Sequence, residues 1–304
     1  MCGLFGFSKY GDNDIKGLAD LTNALARQSA VRGTDSTGIA MCKNSQLNIV
    51  KESKPAYDIK FKHKDNVRAL TGHTRHSTQG SEKKNYNNHP FYGKAGHTSF
   101  VLAHNGVLTN DRELRRDLRL PKTKIETDSY IAVQLIESKK ELTKESLKYM
   151  AETVEGSFSF SLLDEKDNLY LVKGDSPISL LHFPSQQIYV YASTDRILYK
   201  SLIDSPLFLD VKLGRYEEIK LNEGDILKIN SMGHIEHSTF EYKYSYGRSW
   251  WDYGIFDYSF DDKDDEYIEC LKTAAGCEGH NPEEIDYLIE QGFSLDEIED
   301  YIYS

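Results

Sequence analysis

The chain has 304 residues, 39% of them hydrophobic, 28% charged and 12% aromatic, with 21 Gly and only 7 Pro. That composition excludes a fibrous, disordered or disulfide-stapled protein, and the length suffices to bury a core without metals or bridges. The net charge of −11 is confined to one end: residues 252–304 hold 17 acidic side chains against 2 lysines, which leaves the first 251 residues at +4 and speaks against an extended nucleic-acid footprint.

No stretch approaches the roughly 18 uninterrupted apolar residues of a membrane span, and the N-terminus lacks the basic region and long apolar core of a secretory signal. Cys2, Cys42, Cys270 and Cys277 are too few and too scattered for a disulfide framework. The expected location is therefore the cytoplasm.

Taken from the N-terminus, the sequence predicts strands over 4–8, 37–43, 99–104, 157–163, 168–173, 187–192 and 225–230, several rich in aromatic and β-branched residues. Ile15, Leu18, Leu21 and Leu25 repeat at helical spacing, as do Ile131, Leu135 and Ile136 behind Thr127–Asp128, an expected N-cap region. Arg112, Arg115, Arg116, Arg119, Lys122 and Lys124 alternate with acids and read as a solvated helix face. Ser157–Phe158–Ser159–Phe160–Ser161 alternates strictly, which predicts antiparallel sheets with one buried face. Nine of the nineteen residues over 242–260 are aromatic. A helix is expected from about 264 to 275. Asn281–Pro282–Glu283–Glu284 then starts a second one that Gly292 ends, and Ser294–Leu295–Asp296–Glu297 opens the last. The chain thus divides into an α+β body over 2–240, an aromatic and acidic connector over 241–262, and an acidic helical hairpin over 263–304.

The chemistry starts at Cys2. A small residue at position two permits removal of Met1, which would put a thiol and a free α-amine on one residue. The α-amine, with an ordinary pKa of about 7.7 to 8.0, can then take the thiol proton directly or through a water. Further segments contain the groups that such a nucleophile needs. Arg32-Gly33-Thr34-Asp35-Ser36-Thr37-Gly38 is a polar turn before a strand, suited to supporting a pocket. Gly72-His73-Thr74-Arg75-His76-Ser77-Thr78-Gln79-Gly80 sets a guanidinium among hydroxyls, where it can clamp a carboxylate. Asn105–Gly106 offers a side-chain amide beside a backbone N–H, a pair of oxyanion donors. Asp128 can hold an ammonium. Together these groups describe an α-amino acid with a carbonyl in its side chain.

Those segments, with His89-Pro90-Phe91 and the later Gly156-Ser157-Phe158, Ser176-Pro177-Ile178 and Ala192-Ser193-Thr194-Asp195, occur in an order that resembles the class II glutamine amidotransferase domains, among them the glutaminase domains of glucosamine-6-phosphate synthases. The resemblance covers about residues 2–235. It implies a four-layer αββα sandwich of Ntn-hydrolase type with two antiparallel sheets, to which the C-terminal helices are an appendage. It also implies that Cys2 attacks the side-chain amide of L-glutamine to form a thioester and release ammonia. By matching motifs, Asn105 and the Gly106 N–H hold the oxyanion, Arg75 takes the substrate carboxylate and Asp128 its ammonium. Thr78 adds a pocket contact, and Arg32 supports the site.

His76 stands where the family often has tryptophan and Gln79 where histidine is frequent, so the cover over the glutamine is expected to be built differently. The family's usual synthase domain is not expected in the roughly 65 residues after the body, and no phosphate loop or dinucleotide turn is read, so the chain is expected to be either a stand-alone glutaminase or an ammonia-supplying subunit whose separate acceptor docks on the C-terminal region. No cofactor and no metal are expected: the histidines at 73, 76, 89, 97 and 104 lack supporting carboxylates, and Cys270-x6-Cys277-x2-His280 lacks a fourth ligand. Two other readings stay open, a catalytically inactive regulatory protein with the same fold and an N-terminal-cysteine acylase that opens another amide.

Overall fold

The computed structural model describes residues 2–13, 15–43, 46–203, 205–243 and, toward the C-terminus, 268, 271–272, 275–276, 280–291, 298 and 301–302. The strands are β1 (Gly3–Lys9), β2 (Ser36–Lys43), β3 (Gln46–Glu52), β4 (Ala69–Arg75), β5 (Phe91–Ala95), β6 (Thr98–Leu108), β7 (Gly156–Asp164), β8 (Leu169–Lys173), β9 (Ser179–Phe183), β10 (Ile188–Ala192), β11 (Glu217–Glu218), β12 (Asp225–Ile229) and β13 (Ile235–Thr239). The helices are α1 (Leu18–Ser29), α2 (Asp111–Asp117), α3 (Tyr130–Ser138), α4 (Lys144–Thr153), α5 (Asp195–Ile203), α6 (Phe208–Lys212) and α7 (Glu283–Glu290).

Two antiparallel sheets result. One runs β11-β9-β10-β1-β4-β2-β3, the other β13-β12-β8-β7-β6-β5. Each strand of a sandwiched sheet divides its residues between two apolar layers, because side chains alternate across the pleat. In β1, Phe5 and Phe7 join Leu18, Leu21 and Leu25 of α1 and Leu198 of α5 in an outer layer. Leu4 instead joins Ala103, Leu171 and Leu180 between the sheets. On the far side, Phe100, Leu102, Phe158 and Phe160 pack under Ile131, Leu135 and Met150 of α3 and α4. The order is helices, sheet, sheet, helices: the expected αββα sandwich.

Four local expectations are corrected. Two of the three serines of β7 do not face water. Ser159 and Ser161 are fully buried, because the alternate face looks onto the other sheet, where Ser161 Oγ meets Thr71 Oγ1 at 2.8 Å. The basic run after Asp111 is helical only to Asp117. Within it Arg115 is half-buried and donates to the Thr127 carbonyl at 2.9 Å. The N-cap of α3 is Ser129, with no side-chain cap bond, since the Asp128 carboxylate is engaged elsewhere. In the tail, Pro282 sits at the N-cap of α7 and not one residue inside, while Asn281 Oδ1 accepts from the Glu283 N–H at 3.2 Å.

The apolar tail residues Leu271, Ala275, Ile285, Ile298 and Ile302 belong to the same cluster as α1 and α5. The expected features at 244–260, at Gly292 and at 294–297 lie outside the described residues. Among the described residues no helix is long and apolar enough to cross a membrane.

Candidate functional site

β1 lies in the middle of its sheet between β10 and β4, and its register sets Gly3 opposite Thr74. Cys2, one residue earlier, therefore reaches the Arg75 end of β4, on the same side of the strand as Leu4 and facing the seam between the sheets. Three bonds outside the strand ladder fix this end of the chain. Arg32 Nε donates to the Cys2 carbonyl at 2.9 Å, Ser193 Oγ accepts from the Leu4 N–H at 2.8 Å, and the His76 N–H points at Cys2 Sγ from 3.4 Å. Burial pushes the Cys2 thiol up. The His76 amide and Arg75 pull it back down, and Asp128 adds to the rise. Sulfur, guanidinium and carboxylate thus feel one another's charge.

Arg75 follows from the alternation of β4. Thr71 and His73 bond across the seam, so Arg75, two further on, faces it as well. It is 2% exposed. Its Nη1 donates to Asn88 Oδ1 at 2.7 Å, and its Nη2 donates to the carbonyls of Gln79 and Gly80 at 2.7 and 2.8 Å. Of the five guanidinium donors, three therefore hold the 76–80 loop and the Asn88 side chain. Burial lowers the Arg75 pKa, opposed by Cys2, Asp35, Glu82 and Asp128. Asp35 braces the same loop from below: its Oδ2 accepts the Ser77 N–H at 2.6 Å and its own N–H donates to the Arg75 carbonyl at 3.0 Å. Gly33 is required there because a Cβ would collide with the Arg75–His76 peptide. Gln79 closes the loop with a bond from Nε2 to the Glu126 carbonyl at 2.9 Å.

The other sheet supplies Asn105. It has the parity of Val101 and Ala103 in β6, both of which pack between the sheets, so its side chain enters the seam. It is 1% exposed and its Nδ2 has no partner among the described residues. An unmade buried amide donor costs about 1–3 kcal/mol, and such a group is explained by a ligand that accepts from it. Gly106 follows at φ +135°, with no room for a Cβ against the Ser157 carbonyl. Asp128 Oδ2 accepts the Leu108 N–H at 2.7 Å, and Ser129 Oγ links Asp128 Oδ1 at 3.3 Å to His104 Nδ1 at 2.8 Å. Thr78 is exposed on the loop after Arg75.

Sequence reasoning missed Asn88, Ser193 and Ser129 as supports, and His73 as a bridge. Ser193 stood inside a motif already singled out. Asn88 carried no local signal, since its partners lie at positions 53, 75, 82 and 85. Among the described residues no group of three His, Cys, Asp or Glu side chains could hold a metal ion.

Residues 73–200 match a family model described as a glutamine amidotransferase domain. The glutamine–fructose-6-phosphate aminotransferase (isomerizing) of Listeria innocua is 35% identical over 186 residues, or 59% of this chain and 30% of that protein. The enzyme of the same name from Geobacillus kaustophilus is 32% identical over the same shares. The chain thus spans less than a third of the length of the curated relatives it matches. Among solved structures, the glutamine phosphoribosylpyrophosphate amidotransferase from B. subtilis, complexed with ADP and GMP, superposes with a TM-score of 0.62 at 20% identity, covering 80% of this chain and 50% of that one. That likeness is one of fold.

Proposed function

We propose a glutaminase reaction of the class II type for this chain, because residues 73–200 match a glutamine amidotransferase domain and Cys2 lies at the Arg75 end of β4. One observation carries the reading: Cys2 precedes β1 at the Arg75 end of β4, at the seam into which the Asn105 amide projects with no partner among the described residues. A cation, an anion and an oxyanion donor around a thiol suit a free α-amino acid. They do not suit the apolar acyl group of a general acylase.

In the reaction, trimming of the chain ahead of Cys2 frees its α-amine. The amine takes the thiol proton as Sγ attacks the Cδ carbonyl of glutamine, and it returns the proton to the departing ammonia. Asn105 Nδ2 and the Gly106 N–H meet the negative oxygen. Water then releases glutamate from the thioester. Arg75 binds the substrate α-carboxylate, and a two-point grip would draw on an Nη2 donor now spent on the Gln79 or Gly80 carbonyl, so binding and the 76–80 loop are coupled. Asp128 holds the α-ammonium, Thr78 contributes from the loop, and Arg32 fixes the Cys2 carbonyl. The ammonia passes to an acceptor enzyme in the cytoplasm that docks on the connector and hairpin over 241–304, beyond the catalytic body over 2–240.

The test is direct: purified protein incubated with glutamine should release glutamate and ammonia in equal amounts, with an N-terminal mass that starts at Cys2. Retention of Met1 with no turnover would favour the regulatory reading. A pull-down that retrieves no acceptor, alongside full activity of the lone chain, would sink the subunit version. Arg75→Lys is expected to raise the KM for glutamine about 10–100-fold with a smaller change in kcat, because an ammonium cannot replace the planar fork. Steady-state kinetics read this out, and an unchanged KM would remove Arg75 from the carboxylate site.

A further inference from the structure

We propose that His73 is a positioning residue that sets the spacing between the nucleophile and the oxyanion donors, by tying the sheet that carries Cys2 to the sheet that carries Asn105. The inference rests on the glutaminase reading and adds a residue to it.

The two halves of the site belong to different layers. Cys2 leads into β1 and Arg75 ends β4, whereas Asn105 and Gly106 lie in β6. Within a sheet, backbone ladders hold residues in register; between sheets, apolar packing does not by itself specify sub-ångström spacing. His73 pairs with Leu4 of β1 and lies two residues before Arg75. From there its Nε2 meets the His104 carbonyl at 2.9 Å. A carbonyl only accepts, so Nε2 carries the hydrogen. The acceptor belongs to the peptide that joins His104 to Asn105. The bond thus runs from the strand paired with the nucleophile's strand to the backbone of the oxyanion donor.

The surroundings suit a fixed ring. His89 stacks on His73 at 4.0 Å between centroids, and neither His89 ring nitrogen has a partner among the described residues, so His89 serves as a flat packing surface. Burial holds the His73 pKa down at about 3, with Arg75 and His104 adding to the fall against the bond to the His104 carbonyl. The ring is neutral at every pH at which the protein would work, and the bond does not titrate. Asn105 Nδ2 has no bond to hold it, so its aim depends on its backbone. A shift of about 1 Å in a reacting group can cost about 10²-fold in rate.

The experiment compares His73→Leu, His73→Gln and His73→Asn with the wild type, all as the full chain. His73→Leu is expected to lower kcat about 10–100-fold with KM for glutamine changed less than about threefold. Gln, whose amide N–H can reach the His104 carbonyl, should recover most of the rate; Asn, one methylene shorter, should not. Alkylation of Cys2 by iodoacetamide needs no oxyanion donor and should proceed at the wild-type rate. Inactivation by a diazoketone analogue of glutamine should slow in step with kcat. Should His73→Leu fail to fold, the Gln and Asn pair carries the comparison. A rise in KM with kcat, a loss of iodoacetamide reactivity in parallel, or equal activity of the Gln and Asn variants overturns the proposal. Normal turnover by His73→Leu overturns it alone, whereas absence of turnover in the wild type overturns the glutaminase reading and this inference with it.

Discussion

Cys2→Ala is expected to reduce glutamine hydrolysis by at least roughly 10⁴-fold, the largest effect of any single substitution in this chain. Removing the nucleophile removes the covalent route, and what remains is whatever the oxyanion donors and substrate clamps can do for water alone. The fold should survive, because Cys2 precedes β1 and its carbonyl, which accepts from Arg32, is kept by alanine. The measurement pairs glutamate release with thermal unfolding of the same preparation. A variant that stays folded and still turns over would show that the thiol is not the attacking group. Trapping supports the same point: quenched wild-type enzyme should carry a γ-glutamyl adduct on its first residue, and Cys2→Ala should carry none.

The second large effect is expected at Asn105. Asn105→Ala should lower kcat about 10²–10³-fold, or about 3–4 kcal/mol in the transition state, with little change in the KM for glutamine. The reason is visible in the resting protein: the Nδ2 donor is buried and unpartnered, so its interaction is realised when the carbonyl oxygen becomes an anion. Asn105→Asp should be worse, since it sets a carboxylate against the forming charge. Steady-state kinetics decide the matter. A fall in affinity with an intact kcat would place Asn105 among the binding groups and leave the oxyanion to other donors.

The architecture was legible where apolar patterning was strong. Seven strands were expected within one or two residues of their observed bounds, apart from β6, which runs on to Leu108. The helices α1 and α3 announced themselves by spacing. β4 was not recognised, although it carries Arg75 and His73. No strand was read there because its polar positions line the seam, where Thr71 and His73 bond across it, while glycine and threonine occupy the alternate positions. Here tertiary hydrogen bonding, and not propensity, makes the strand. The same cause misplaced the serines of β7: alternation tells that two faces differ, but not that the polar one meets another sheet. For the site, the residue types were readable and their supports were not. Asn88, Ser129 and Ser193 act through partners distant in sequence. The Arg75 fork, expected to be free for a carboxylate, is instead spent in part on its own loop.

β1 pairs on one side with β10, some 185 positions further along the chain. On a ribosome that adds about 5–20 residues per second, the partner strand emerges roughly ten to forty seconds after Cys2. Throughout that interval Cys2 and β1 have no complete sheet to enter. Once β10 docks, the cysteine is enclosed. Under the glutaminase reading, trimming ahead of Cys2 is therefore expected to come before β10 docks.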